Sequence, residues 1–246
     1  MTRDMKICAV IPAAGRGTRL GRSGPKILTP LTDSETIWSI LYRKLSPLVD
    51  HVQIILSPES AVDFPPLPAN ASISIQPAPT GMGDAIFRGH DVWLAYDAIL
   101  VVWGDQVFVS ADTLDRTMAA MASPRRHAVL PMTRMAAPYV EYVFDKNLLT
   151  RVLQMREGDK TAPNGLSDVG TFLLGTEGLD EAWNAYLHDG ERGMQTGEIN
   201  FLPFLPFLAG HDWIITPVEV ADPTEARGIN TKDDLAFFKS LYKKQP

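Results

Sequence analysis

Cations, Arg16, Arg19 and Lys26 among them, crowd one short stretch near the amino end together with five backbone-permissive residues, Gly15, Gly17, Gly21, Gly24 and Pro25. Ala13, Ala14, Gly15 and Gly17 have little or no side chain, so a ligand can lie directly against the backbone amides. Free N–H groups beside fixed positive charge are what a polyphosphate requires. A basic surface turn would need neither this length nor three cations. Two common phosphate loops do not fit. Lys26 lies between Pro25 and Ile27, which breaks the G-x-x-x-x-G-K-[ST] pattern. Gly15 and Gly17 open a G-x-G-x-x-G fingerprint, but Leu20 stands at its third position.

Three polar residues elsewhere could complete such a site. Asp105 follows a fully apolar run and Gly104, which places a carboxylate at the carboxyl end of a central strand, where open α/β sheets bind ligands. Mg²⁺ takes one or two protein oxygens together with phosphates and waters, so one exposed Asp suits it, although a plain β-turn would also use Gly-Asp. Asn230 stands just before the last helical run. Thr231, with Asp234 three residues on, is the better cap, and that leaves the Asn230 carbonyl oxygen for a ligand. Gln76 ends a short apolar stretch before T-G-M-G. Its carboxamide offers a donor and an acceptor on one plane, matching the O4 and N3–H edge of uracil or thymine, with backbone around Gly81 to complete the contact.

The elements that must hold these residues follow from periodicity. A buried strand over 6–11 leads into the glycine-rich loop. Ile37, Ile40, Leu41 and Leu45 predict a helix, with Ser34 as its cap and Pro47 beyond its end. A second strand at 51–56 completes a strand–loop–helix–strand unit, hence a parallel sheet. Residues 58–68 read as a long proline-rich loop and 73–76 as a strand. A helix is expected over 83–94, a strand over 98–103, a helix over 112–121 and a strand over 128–132. Beyond residue 139 the texture turns strand-rich, at 139–144, 148–155 and 169–174. A helix at 180–187, a proline-interrupted core helix at 201–207, a strand at 213–217 and a terminal helix at 231–242 finish the chain. The expectation is one α/β domain of Rossmann-like three-layer α/β/α type with a mixed, mainly parallel sheet and a small β-rich insertion. Residues 1–135 would form a nucleotide-binding part, 136–230 an acceptor-binding part and 231–246 the terminal helix.

Composition limits the function classes. A formal charge of −6 argues against a general nucleic-acid binder, and cations gathered in one loop point to a local anionic ligand instead. Cys8 is the single cysteine and sits in the first apolar run, which leaves no disulfide and no thiolate metal site. No run approaches the ~18 apolar residues of a membrane span. The basic start is followed by too short an apolar stretch for a signal peptide, so a cytoplasmic enzyme is expected.

A-A-G-R-G-T-R-L followed by P-K, together with V-V-W-G-D, resembles the sugar-phosphate nucleotidyltransferase family. The likeness runs through nearly all 246 residues and is nearest to the uridylyltransferase domain of bacterial N-acetylglucosamine-1-phosphate uridylyltransferase. The resemblance implies that a nucleoside triphosphate, UTP in the first instance, reacts with a sugar 1-phosphate to give a nucleotide sugar and pyrophosphate. It assigns Arg19 and Lys26 as catalytic and Asp105 and Asn230 as ligands of Mg²⁺. It sets Pro12, Ala13, Ala14, Gly15, Gly17, Gln76, Gly81, Met82, Trp103 and Gly104 against the nucleotide. Pro79 and Met82 replace polar residues that the family carries in the base-binding turn. The acceptor positions would be Val140, Gln154, Asp168 and Glu198, and the first three depart from the family's glycine, glutamate and asparagine. Nucleotidyl transfer survives those changes, but N-acetylglucosamine as substrate does not follow. CTP with another phosphorylated alcohol or a phosphonate is the alternative, and a non-catalytic nucleotide-sugar binder the third. The nucleophile, a phosphate oxygen, is already ionised at neutral pH. No general base is required, and His51, His90, His127, His188 and His211 fall in no site motif.

Overall fold

A computed structural model describes residues 5–15, 24–188 and 192–242. Strand β1 (Ile7–Pro12) is buried on both faces, as its apolar composition requires, and pairs in parallel with β2 (His51–Leu56) and β4 (Ala98–Val102). Strand β3 (Ala71–Ile75) extends the sheet beyond β2, again in parallel. On the other flank the order continues from β4 to β9 (Thr171–Gly175), β5 (His127–Met135) and β10 (Ile214–Glu219). β9 is antiparallel to both β4 and β5, while β10 is parallel to β5, so β9 runs against its neighbours in a mainly parallel sheet. Strand β8 (Gly165–Asp168) joins β5 antiparallel, and β6 (Val140–Asp145) with β7 (Leu148–Gln154) forms a separate two-stranded ribbon. The strand-rich stretch beyond residue 139 is this ribbon together with β8 and β9.

Side chains alternate across the sheet into two cores. Ile7, Ala9 and Ile11 pack with α1 (Ile37–Leu45), α5 (Ala111–Ala119) and α8 (Lys232–Tyr242) on one face. Cys8 and Val10 face the other layer, with α3 (Met82–Phe87), α4 (His90–Trp93), α6 (Leu179–His188) and α7 (Phe204–Ala209). The result is the three-layer α/β/α architecture. Cys8 is fully buried, and burial pushes its thiol up to about 12, as expected of an inert core residue.

Four local expectations are corrected. Thr36, not Ser34, caps α1: its hydroxyl accepts from Ser39 N and the Ser39 hydroxyl accepts from Thr36 N, a closed capping box. The proline-rich loop contains a short helix, α2 (Pro58–Val62), because the Ser57 hydroxyl caps it and Pro58 sits where a missing N–H costs nothing. The helix expected over 83–94 breaks at Gly89 into α3 and α4. A side chain at Gly89 would collide with the buried Gln53 amide, whose nitrogen donates to the Gly89 carbonyl. The strand expected over 169–174 is interrupted at Gly170, whose φ of +70° separates β8 from β9.

Candidate active site

The chain runs from β1 outward through β2 and β3, then returns to lay β4 on the opposite side of β1. Connections therefore diverge between β1 and β4, and ligands of open α/β sheets bind in the crevice at the carboxyl ends of such a pair. Residues 13–15 leave β1 there and residues 103–105 leave β4. Gly104 allows this meeting: a Cβ on it would lie 3.1 Å from the Pro12 carbonyl oxygen.

Lys26 enters from a single 3-10 turn, Lys26–Leu28, which follows Gly24 (φ +102°) and Pro25. Its ammonium donates to Asp105 Oδ2 at 2.6 Å and to Asn230 Oδ1 at 2.9 Å. Three residues 79 and 204 positions apart thus converge on one point, and the Lys26–Asp105 pair keeps about a fifth of its side-chain surface open to solvent (20% and 18%). Asn230 is free to face inward because Thr231 and Asp234 cap α8: Asp234 N donates to the Thr231 hydroxyl, and the Asp234 carboxylate accepts from Thr231 N and Asn230 N. That carboxylate is held below its usual range, the four hydrogen bonds from Thr231, Arg227 and Asn230 outweighing its burial. Asp105 and the Asn230 segment are also tied through backbone, Ile229 N donating to the Asp105 carbonyl at 3.1 Å. Gly228 makes this approach possible, since a Cβ there would stand 3.0 Å from the Asp105 carboxyl carbon and 3.0 Å from Asn230 Nδ2. The R-G-I-N segment contains that glycine, but only the fold shows what it lies against.

A cleft of about 250 Å³ opens over this triad, lined by Pro12, Ala13, Gly15, Lys26, Met82, Trp103, Gly104, Asp105 and Asn230. A second, of about 220 Å³, shares Pro12, Gly15 and Met82 with it and adds Ala14, Gln76, Gly81, Arg156 and Glu198. The shared lining makes them two arms of one trough. Arg16, Gly17 and Arg19 lie outside the described residues.

Gln76 is buried, and its amide nitrogen donates to the Gly81 carbonyl, the Thr80 hydroxyl and Asp84 Oδ2. Among the described residues its amide oxygen makes no hydrogen bond. Asp84, which the sequence did not single out, is the hub of this turn. Its carboxylate accepts from Gln76, Thr80 and Arg88, and these bonds outweigh burial and hold it below the usual range.

The acceptor positions divide. Glu198 lines the second arm, where Arg156 Nη2 donates to it at 2.6 Å. Arg156 was not anticipated from the sequence; it lies two residues beyond Gln154 and is visible only through its pairing. Val140 and Gln154 oppose one another in the β6–β7 ribbon, and Gln154 is buried. Asp168 is buried as well, Oδ1 accepting from Gly170 N and Oδ2 from the Tyr142 hydroxyl. Burial raises its carboxyl, those two bonds oppose the rise, and the Asp105 charge adds to it. None of these three lines either arm of the trough. His51 bonds Ser72 and His127 bonds Thr216, both away from the trough.

Comparison with known proteins follows the same lines. The family described as MobA-like NTP transferase domain matches residues 9–169, from β1 to the end of β8. The chain belongs to this family. Nucleotidyl transfer is therefore its class of chemistry. Among curated proteins, Bifunctional protein GlmU of Aquifex aeolicus is 23% identical over 250 residues, covering 96% of this chain and 53% of the relative. Bifunctional protein GlmU of Synechococcus sp. is 25% identical, covering 96% and 52%. This member of the NTP transferase family thus spans about half the length of the curated relatives it matches. A Bacillus anthracis protein described as a glucose-1-phosphate thymidylyltransferase superposes with a TM-score of 0.73 at 15% identity, covering 98% of this chain and 96% of that one. The 4-diphosphocytidyl-2C-methyl-D-erythritol synthase of Anaerococcus prevotii gives 0.68 at 14%, covering 98% and 99%. At such identities the likeness establishes the fold, that of the nucleotide-diphospho-sugar transferases. No described helix is long and apolar enough to cross a membrane.

Proposed function

We propose that this NTP transferase joins UTP to a sugar 1-phosphate and releases pyrophosphate. The observation that carries the reading is the convergence of the Lys26 ammonium, the Asp105 carboxylate and the Asn230 amide oxygen beside the glycine-lined end of β1. Asp105 Oδ2 and Asn230 Oδ1 already share one cation, the Lys26 ammonium, so two hard oxygens are preset around a single positive charge. This donor set fits Mg²⁺, which needs few protein oxygens when phosphates and water supply the rest. Bound to Asp105 and Asn230, Mg²⁺ would neutralise phosphate charge and align the reacting groups.

The barrier to overcome is electrostatic. At ~5 Å and an effective dielectric near 20, each pair of unit charges on triphosphate and acceptor repels by about 3 kcal/mol. Lys26 would stand where the α-phosphate and the incoming phosphate meet and offset that repulsion. Arg19 would hold the β- and γ-phosphates of the leaving group. The residues 13–15 backbone lets the triphosphate lie close to main-chain amides. The attacking phosphate oxygen is ionised beforehand, so no side chain has to remove a proton.

The Gln76 amide oxygen would accept from the pyrimidine edge and Glu198 from acceptor hydroxyls. One observation favours a second reading. With its nitrogen engaged by Gly81 and Asp84, Gln76 presents an acceptor, which suits the N4 amino group of cytosine as well as N3–H of uracil. Asp168 and Gln154 are buried and line neither arm of the trough, so nothing at those two positions ties the acceptor to a hexosamine. A panel of UTP, dTTP and CTP against sugar 1-phosphates and other phosphorylated alcohols, followed by pyrophosphate release, tests both readings. UTP turnover with a sugar 1-phosphate is the expected result, preference for CTP would install the second reading, and tight nucleotide binding without turnover would leave only a binding protein.

A further inference from the structure

The loop that carries Asp105 is gripped from two sides. On one side it is tied to the segment bearing Asn230: Gln106 Nε2 donates to the Glu225 carbonyl at 2.6 Å, and the Glu225 carboxylate accepts from Ser110 N at 2.8 Å. On the other side stands Lys44, in the last turn of α1, whose ammonium donates to the Val107 carbonyl at 2.6 Å and the Val109 carbonyl at 2.8 Å. These carbonyls lie two and four residues beyond Asp105. Lys44 lines neither arm of the trough. Its hydrogen-bond acceptors are neutral, and burial first, then neighbouring Arg43, lowers its ammonium to about 8 against the favourable pull of Glu225. An apolar side chain would pack against α1 at lower cost than a desolvated ammonium. What the ammonium adds is a two-point hold on main chain.

We infer that Lys44 is a positioning residue: from α1 it fixes the loop after β4, and so sets how firmly Asp105 and Asn230 together hold a divalent cation. The inference rests on the metal-site reading given under Proposed function. Outer residues that orient metal ligands change affinity by about 10- to 100-fold when lost.

The test uses the full chain and Mn²⁺ as probe, with free Mn²⁺ followed by electron paramagnetic resonance in the presence of UTP, beside UTP binding without metal. Lys44→Met is expected to raise the Mn²⁺ dissociation constant about 10- to 100-fold and to leave metal-free UTP binding within about twofold. Lys44→Arg, which keeps donors for the two carbonyls, is expected to recover most of the loss. Unchanged Mn²⁺ affinity in Lys44→Met, even with a lower melting temperature, would overturn the inference, because the residue would then serve packing alone. Equal loss of metal-free UTP binding would overturn it too. Should Lys44→Met not fold, Lys44→Gln replaces it in the same titration and is read the same way. A wild-type protein that binds Mn²⁺ no better than Asp105→Asn overturns the metal-site reading, and the inference falls with it.

Discussion

Lys26 shows how one side chain can serve two purposes in this site. Its ammonium satisfies Asp105 and Asn230, and under the proposed function the same charge would meet phosphate. A point charge on a flexible stem can move between such partners more readily than a planar guanidinium. On the proposed metal site, Lys26 and a divalent ion would compete for the same two oxygens when no nucleotide is bound, yet cooperate once phosphates arrive. Lys26→Met should then shift two measurements in opposite directions. Pyrophosphate release should fall about 10²- to 10³-fold, the usual loss for a fixed group facing transition-state charge. Mn²⁺ binding without nucleotide should tighten, because the competing ammonium is gone. Falling activity with weaker metal binding would mean that Lys26 organises Asp105 and Asn230 instead of competing for them.

At the scale of elements, the helix after the first loop depends on its capping box. Thr36 and Ser39 satisfy two N–H groups reciprocally, so Thr36→Ala should lower the unfolding free energy by about 1 kcal/mol in urea titrations. A change in stability below a few tenths would show that packing of Ile37, Ile40 and Leu41 alone holds α1. The same helix shows where the sequence was legible. Its apolar spacing marks Ile37, Ile40, Leu41 and Leu45 as one helical face, and a helix over Ile37–Leu45 is what forms. Its cap was misread, because Ser34 and Thr36 have the same chemistry and only the path of the preceding turn decides between them. The break at Gly89 was hidden for a related reason: periodicity runs through it, and the Gln53 amide that bonds the Gly89 carbonyl and leaves no space for a side chain there sits on β2, which no local pattern reveals. Strands read well, since runs such as residues 98–102 are apolar throughout and need no partner to be recognised. In the trough, Lys26, Asp105 and Asn230 could be named because glycine, proline and capping residues mark their turns. Lys44, Arg156 and Gly228 could not, since each matters only through a neighbour far away in sequence.

For the molecule as a whole, the parallel sheet supplies the Lys26–Asp105 end of the trough, while the far end depends on how residues 192–200 are fastened to it. Ile199 N donates to the Thr80 carbonyl and Gly83 N to the Ile199 carbonyl, which ties this segment to the Gln76 turn. Glu157, at the end of the 3-10 turn Met155–Glu157, holds it from the other side. The Glu157 carboxylate, 7% exposed, accepts from Gln195 N, Thr196 N, the Thr196 hydroxyl and Asn200 Nδ2. Burial works against its ionisation, but these bonds win and hold it down to about 2, from an ordinary 4.5. A carboxylate whose folded value is depressed contributes stability that is fully present above its ordinary value. That contribution fades as pH falls from about 4.5 towards 2, because the unfolded chain takes up the proton first. Urea unfolding of wild type and Glu157→Gln across acid pH should therefore show a gap that is widest above pH 4.5 and narrows steadily below it. Because Glu198 belongs to the same fastened segment, the substitution should also raise the KM for the acceptor more than that for the nucleotide. A gap that stays constant through the acid range would mean that the amide keeps every bond the carboxylate makes, and that charge on Glu157 has no part in shaping the acceptor end.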